Sequence, residues 1–165
     1  MSRLLHIATI MLLALCLFTA ACSDESCYEN GSSLPLATLY LGEAQQTIPG
    51  LTVMGIGAPG DSLLLNNGAA KELYLPLRAS VQSTSFMFGR WLINGTDTVM
   101  VRDTVTLDYQ PVEYFHSAEC GAMFNFNMKN VRHTTHGIDS VVLMTDVVTN
   151  SQLPALRIHF TDFAL

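Results

Sequence analysis

Two closely spaced histidines are the first candidates for chemistry in this sequence. His133 and His136 form an H-x-x-H pair in a segment without a strand pattern. A protein metal site needs three or four converging ligands, and two loop histidines supply at most half of them. Glu119 and Cys120 are the only obvious additions, and we expect Cys120 to be oxidised. We therefore predict exposed loop histidines, no metal site and no cofactor.

Motifs for catalysis are missing from the sequence. It contains no G-x-S-x-G nucleophile elbow, no cysteine-histidine pairing signal and no G-x-x-x-x-G-K phosphate loop. Its 14 acidic residues are scattered, although carboxylates that are distant in sequence can still meet in a fold. We expect a protein without catalytic activity, and a hydrolase is the less favoured alternative.

Four tripeptides fit a modification signal. Each has Asp followed by Ser or Thr and then an apolar residue, which resembles the O-glycosylation acceptor of Bacteroidota-type secreted proteins. The same composition is typical of turns that lead into strands, because these side chains hydrogen-bond to nearby backbone. We predict a glycan on at least one of the four hydroxyl-bearing residues, which are Ser62, Thr98, Thr104 and Ser140.

Cys22 ends a motif for lipid attachment. Residues 7–21 are all apolar or small and follow Arg3, as in a secretion signal, and this run is shorter than the roughly 20 residues of a membrane-spanning helix. Thr19-Ala20-Ala21-Cys22 resembles the lipobox of bacterial lipoproteins, although Leu is more usual where Thr19 stands. We predict a lipoprotein signal peptide over residues 1–21 and multiple acylation of Cys22, since one acyl chain anchors a protein only marginally. An ordinary signal peptide is the alternative.

Charge and the residues after Cys22 bear on location and partners. Without the signal, the chain has seven basic and 14 acidic side chains. Nucleic acid and anionic lipid heads are bound by Lys and Arg, so this balance argues against both partners. We predict that the acyl chains of Cys22 attach the chain to the outer membrane. Ser23-Asp24-Glu25 resembles an acidic export signal to the cell surface, but a solvated tether also explains it, so the cell surface and the periplasmic face both stay open.

Alternating residue character dominates the chain after position 35, which is typical of strands with one buried face. The clearest strands cover residues 104–109, 122–129 and 156–161, and Asn94-Gly95 marks a hairpin turn. About eight or nine short strands indicate an all-β, antiparallel β-sandwich, with the immunoglobulin-like type as one form and a β-barrel as the alternative. The core is expected to centre on the aromatic residues Phe86, Phe88, Phe124 and Phe126.

Domain organisation follows from these patterns. After the signal peptide, residues 22–35 are rich in Ser, Asp, Glu, Asn and Gly, which bury little, so we predict a lipidated flexible tether. Residues 36–165 are long enough for a single β-sandwich domain.

Four segments together resemble a known protein family. They are Asp103–Tyr109, Tyr114–Gly121, Ile138–Val141 and Leu156–Phe160. The family is one of small Bacteroidales-type lipoproteins catalogued only as a domain of unknown function. The resemblance implies a lipid-anchored, all-β envelope protein and carries no reaction or ligand.

The remaining cysteines are expected to pair. Cys16 leaves with the signal and Cys22 carries lipid, which leaves Cys27 and Cys120 as an even pair in an oxidising compartment. Members of the family that the chain resembles usually have a cysteine soon after the lipidated one, and here that residue is Cys27. We predict a disulfide between Cys27 and Cys120.

The function that we expect is a non-catalytic binding or accessory module at the outer membrane, with an unknown protein or glycan partner. The alternative is a structural subunit of an envelope complex or surface fibre. A binding module should have a concave pocket with aromatic and polar lining, and a subunit should have a long unpaired edge strand or a large apolar patch. An enzyme should bring two titratable groups together in a cleft.

Overall fold

A computed structural model describes residues 33–60, 62–94, 96–118, 120–151 and 153–161. These ranges contain β-strands and no helix, and thus no helix that could cross a membrane. The strands are β1 (Leu36–Leu41), β2 (Ala44–Gln45), β3 (Ile48–Ile56), β4 (Leu63–Ala70), β5 (Glu72–Tyr74), β6 (Ser83–Asn94), β7 (Asp97–Ser117), β8 (Gly121–His133), β9 (Ile138–Leu143), β10 (Val147–Val148) and β11 (Pro154–Phe160).

The strands form two sheets. The smaller sheet has the order β2-β1-β11-β9, with β5 also paired to β1, and the larger sheet has the order β10-β8-β7-β6-β3-β4. The predicted all-β sandwich is therefore confirmed. One detail differs from the prediction, because β1 and β11 pair in parallel while the other described pairs are antiparallel. Alternation reveals which face a strand buries, but it does not reveal the neighbour or its direction.

The predicted alternation is confirmed on the inner faces. In β7 the side chains of Val105, Leu107 and Tyr109 are at most 2% exposed. The expected aromatic centre is also present, since three of its four phenylalanines are buried and Phe124 packs against them half-buried. The rings of Phe88 and Phe160 lie 6.4 Å apart and join the two sheets. Burial of aromatic rings on both inner faces makes a large contribution to the hydrophobic stabilisation of the sandwich.

The hairpin expected at Asn94-Gly95 connects β6 and β7. Asn94 pairs with Asp97, and the ladder continues to Ser83 opposite Asp108. Gly95 itself lies outside the described residues. Because β6 and β7 pair over their whole common length, they form a rigid framework in the middle of the larger sheet.

Residues 33–35, at the end of the segment predicted as a tether, pack against the sandwich. Ser33 is 4% exposed, and its hydroxyl donates a hydrogen bond to Oδ1 of Asn125 on β8 at 3.0 Å. Pro35 is also buried, and its carbonyl oxygen accepts a hydrogen bond from the backbone N–H of Leu75 at 2.9 Å. These contacts hold residues 33–35 against the sandwich.

Candidate functional site

The hydroxyl of Tyr109 holds the connection between β5 and β6 in place. It donates to the backbone oxygen of Arg78 at 2.9 Å and accepts from the backbone N–H of Arg78 at 3.1 Å. It also lies 2.6 Å from Oγ1 of Thr84. A phenol has one proton to donate, so Thr84 is the donor in this third bond. The ring of Tyr109 is in the core, and Arg78 is therefore fixed on both sides of its Cα by a buried group.

Arg78 lies at the wall of a mostly apolar cavity of about 240 Å³, which we call the Arg78 pocket. The end of β3, the loop after it, and the segment before Arg78 form its walls. Phe86 of β6 lies at its inner side, where the pocket meets the core. Its lining includes Ile56, Leu64, Leu77, Arg78 and Phe86.

The guanidinium of Arg78 is incompletely satisfied. Its Nη1 donates to the carbonyl oxygen of Gly57 at 3.3 Å and its Nη2 to that of Ser83 at 3.5 Å, both long bonds. Its Nε is buried and has no hydrogen-bond partner among the described residues. A buried donor without a partner costs roughly 1–3 kcal/mol, so such a group usually has a water molecule or a ligand beside it. The guanidinium therefore has hydrogen-bonding capacity left, and Arg78 is part of the pocket lining.

A second polar centre lies where β8 connects to β9, and Asp103 of β7 forms it. Its carboxylate is 3% exposed. Oδ1 accepts from Oγ1 of Thr134 at 2.6 Å and from the backbone N–H of His136 at 2.8 Å, and lies 3.0 Å from Nδ1 of that histidine. Oδ2 accepts from the backbone N–H groups of Gly137 and Ile138 at 2.6 and 2.8 Å.

The pKa of Asp103 reflects this environment. Burial acts to raise it, but the hydrogen bonds from the backbone of His136, the hydroxyl of Thr134 and the backbone of Gly137 and Ile138 outweigh burial and lower the pKa. The ionised carboxylate thus fixes the connection between β8 and β9. The neighbouring backbone N–H groups and the Thr134 hydroxyl all donate to this carboxylate, so the centre is suited to holding a loop rather than to proton transfer.

A family model described as a family of unknown function (DUF6452) matches residues 50–160 of the chain. The chain belongs to this family. The DUF6452 match includes Arg78, Tyr109 and Asp103, so both polar centres lie within it. No curated protein and no solved structure matches the chain.

The predicted histidine pair of this DUF6452 protein is divided between two different environments. His136 is exposed in the loop after β8, and its Nδ1 lies 3.0 Å from Oδ1 of Asp103. His133 is instead the last residue of β8 and is half-buried, with Nε2 3.4 Å from the carbonyl oxygen of Asp139, so the prediction of an exposed loop histidine is wrong for this residue. Among the residues that the structure describes, no group of three or more His, Cys, Asp or Glu side chains could hold a metal ion.

The residues predicted to carry glycans lie at four separate places. Ser62 and Thr98 are exposed in or beside loops, while Thr104 and Ser140 are half-buried in β7 and β9. In the motif that contains Thr104, the aspartate is Asp103, whose carboxylate is already bonded in the loop described above. Glycosylation of the four stays a prediction.

Of the cysteines with predicted roles, only Cys120 is described. It is half-buried in the turn after β7, its backbone N–H donates to Oγ of Ser117 at 3.1 Å, and its sulfur is not a free thiol. Cys22 and Cys27 lie outside the described residues, so acylation of Cys22 and the pairing of Cys27 with Cys120 stay predictions.

Sequence reasoning missed Arg78 and the hydroxyl of Tyr109. Tyr109 was placed correctly as a buried residue of an alternating strand, and a buried tyrosine usually finds a partner for its hydroxyl. That partner is 31 positions away in sequence, and nothing around Arg78 in the sequence distinguishes it from a surface arginine.

Proposed function

We propose that this DUF6452 protein is a lipid-anchored, non-catalytic binding module of the outer membrane. Its binding site is the Arg78 pocket, and its ligand is a small molecule or terminal group with an apolar body and one carboxylate. The single observation that supports this proposal is the presence of Arg78, whose guanidinium is incompletely satisfied, in the lining of a mostly apolar pocket.

The chemistry of the pocket supports a ligand of this kind. Ile56, Leu64, Leu77 and Phe86 offer apolar contact, and the guanidinium offers charge-assisted hydrogen bonds to a carboxylate. A volume of about 240 Å³ lies just below the roughly 300–1,000 Å³ of pockets for drug-sized ligands, which favours a smaller occupant. Because Tyr109 holds the backbone of Arg78 in place, little backbone conformational entropy is lost at this residue on binding.

The sequence around Cys22 supports the anchor. Acyl chains on this residue would hold the domain near the bilayer, where amphipathic carboxylates are available. Attachment to a surface also raises the effective concentration of the module for membrane-derived ligands. The side of the outer membrane on which the domain lies stays open between the cell surface and the periplasm.

Octanoate, an unbranched apolar carboxylate, is the probe for this proposal, and 1-octanol is its uncharged match. We expect octanoate to shift the methyl NMR signals of Ile56, Leu64 and Leu77 saturably, because these residues line the pocket. The Arg78→Met variant keeps much of the side-chain length and removes the charge. It should weaken octanoate binding by about tenfold or more, equivalent to roughly 1.4 kcal/mol, and leave octanol binding nearly unchanged.

Arg102→Met is the matched control, since Arg102 is an exposed arginine of β7 that is not part of the pocket. It should bind octanoate like the unaltered protein. Octanoate that gives no saturable shifts, or that binds Arg78→Met as tightly as the unaltered protein, would overturn the proposal.

A structural subunit is the second candidate, and strand β4 favours it. Among the described strands, β4 pairs only with β3, so one edge of Leu63–Ala70 has no strand neighbour. Such an edge can accept a strand from another chain. Sedimentation of the purified protein tests this, since Ala69→Lys places a charge on the edge and should abolish any concentration-dependent association.

A further inference from the structure

Two methionine side chains converge above Gly89 in the middle of the larger sheet. A Cβ atom added to Gly89 would lie 3.2 Å from Sδ of Met87 and 3.5 Å from Sδ of Met100. Both sulfurs therefore approach one point on the sheet. Met87 is on β6 and Met100 is on β7, so the arrangement depends on the pairing of these strands.

The sulfurs lie on the face of the sheet that points away from the core. Phe86 and Phe88 are buried on the inner face of β6. Because successive residues of a strand point to opposite faces, Met87 and Gly89 belong to the outer face. Met87 and Met100 are both half-buried. Their thioethers are therefore supported by the framework and still reachable from solvent.

Two further side chains extend this group. Met54 of β3 is the direct cross-strand partner of Met87, and it is also half-buried. Trp91 is the partner of Met100 and is 45% exposed. Directly opposite residues in a sheet share a face, so a third thioether and an aromatic ring accompany the two sulfurs.

We propose that Met87 and Met100, with Met54 as a third donor, bind a soft monovalent metal ion, copper(I) or silver(I). Thioether sulfur is a soft ligand that selects ions of this kind. Methionine has three rotatable bonds, so the sulfurs can close around an ion from their positions above Gly89. The indole of Trp91 adds a π face that attracts a cation.

Gly89 is what leaves room for the site. A methyl group at this position would lie 3.0 Å from Cε of Met100 as well as 3.2 Å from Sδ of Met87. The flexible ends of these side chains would have to give by a few tenths of an ångström, which displaces the sulfurs from the point where they converge. The glycine therefore has a specific role here that the strand alone does not require.

Silver(I) is the practical probe, because it is stable in air. The full-length protein, with any free thiol alkylated, is titrated with silver(I), and native mass spectrometry gives the stoichiometry. We expect one ion per chain. The double variant Met87→Leu/Met100→Leu keeps the apolar volume and removes both sulfurs, so competition with a soluble chelator should show an affinity lower by about tenfold or more.

Met144→Leu is the matched control, because Met144 is an exposed methionine after β9. It should bind silver(I) like the unaltered protein. Gly89→Ala should weaken binding while both sulfurs are still present, which the loss of apolar packing alone would not explain. Circular dichroism checks that each variant is folded.

The pH dependence separates this site from adventitious binding by histidine. Thioethers have no proton to lose, so the affinity should be nearly constant between about pH 5 and pH 7.5, whereas imidazole ligands lose the ion in acid. Equal affinity of the double leucine variant and the unaltered protein, or an affinity that collapses at the lower pH, would overturn the proposal.

Discussion

The hydroxyl oxygen of Tyr109 lies 2.9 Å from the backbone oxygen and 3.1 Å from the backbone nitrogen of Arg78. One side chain of the central strand β7 thus satisfies both polar backbone groups of a residue in a distant connection. These two hydrogen bonds between a core tyrosine and one loop residue link the stability of the domain to the shape of the Arg78 pocket.

Tyr109→Phe should therefore weaken both properties. Loss of the Tyr109 hydroxyl leaves the backbone groups of Arg78 and the hydroxyl of Thr84 without their partner. We therefore expect a decrease of about 1–3 kcal/mol in the free energy of unfolding. Urea denaturation measures this decrease. Tyr114→Phe, at a half-buried tyrosine of the same strand, is the control and should change stability by less than about 0.5 kcal/mol. Equal effects of the two substitutions would contradict the role of Tyr109.

Asp103→Asn should destabilise the protein at neutral pH by about 2–4 kcal/mol, because an amide cannot accept all the bonds that the carboxylate accepts. The folded-state pKa of Asp103 is lowered, so its contribution is complete above the unfolded-state value of about 3.9 and is lost as the pH falls through the folded-state value. Thermal unfolding at several pH values should show a steeper loss in acid for the unaltered protein than for the variant. Asp97→Asn, at an exposed hairpin position, should leave the profile unchanged.

Cys22→Ser should release the protein from the membrane. Serine offers no thiol for acyl transfer, so a clickable palmitate analogue should label the unaltered protein and not the variant. Fractionation followed by immunoblotting gives the location. Retention of the variant in the membrane fraction would show that something other than acyl chains holds the protein there.

If Cys27 and Cys120 form the predicted disulfide, both cysteines should resist alkylation in denaturant until a reductant is added. It would close a loop of about 94 residues and stabilise the fold by up to roughly 4.7 kcal/mol in the simple entropy model. Cys27→Ser and Cys120→Ser should reduce stability by similar amounts, and the double variant should be no less stable than either one. Peptide mass spectrometry identifies the bonded pair.

Much of the fold can be predicted from local sequence, because burial on one side of a strand leaves a period of two. The inward positions of Val105, Leu107 and Tyr109 and the hairpin at Asn94-Gly95 follow in this way. The parallel pairing of β1 with β11 does not, since its partners are more than a hundred positions apart.

The candidate sites also depend on contacts between residues that are not neighbours in the sequence. Asp103 reads as a turn residue before a strand, but its carboxylate bonds the backbone more than 30 positions later. Met87 and Met100 read as ordinary apolar positions, and only the register of the two strands brings their sulfurs together over Gly89. Sequence patterns identify the faces of strands, whereas tertiary pairing determines which side chains meet.

The adjacency of β1 and β11 also has a consequence for biosynthesis. Strand β1 has its long parallel neighbour in β11, the last of the described strands, so the smaller sheet cannot be completed until β11 has been synthesised. Contacts of such separation form late and slowly. If the chain is exported, as we propose, this delay would favour export, because a chain whose smaller sheet is incomplete would be easier to thread through a translocation channel.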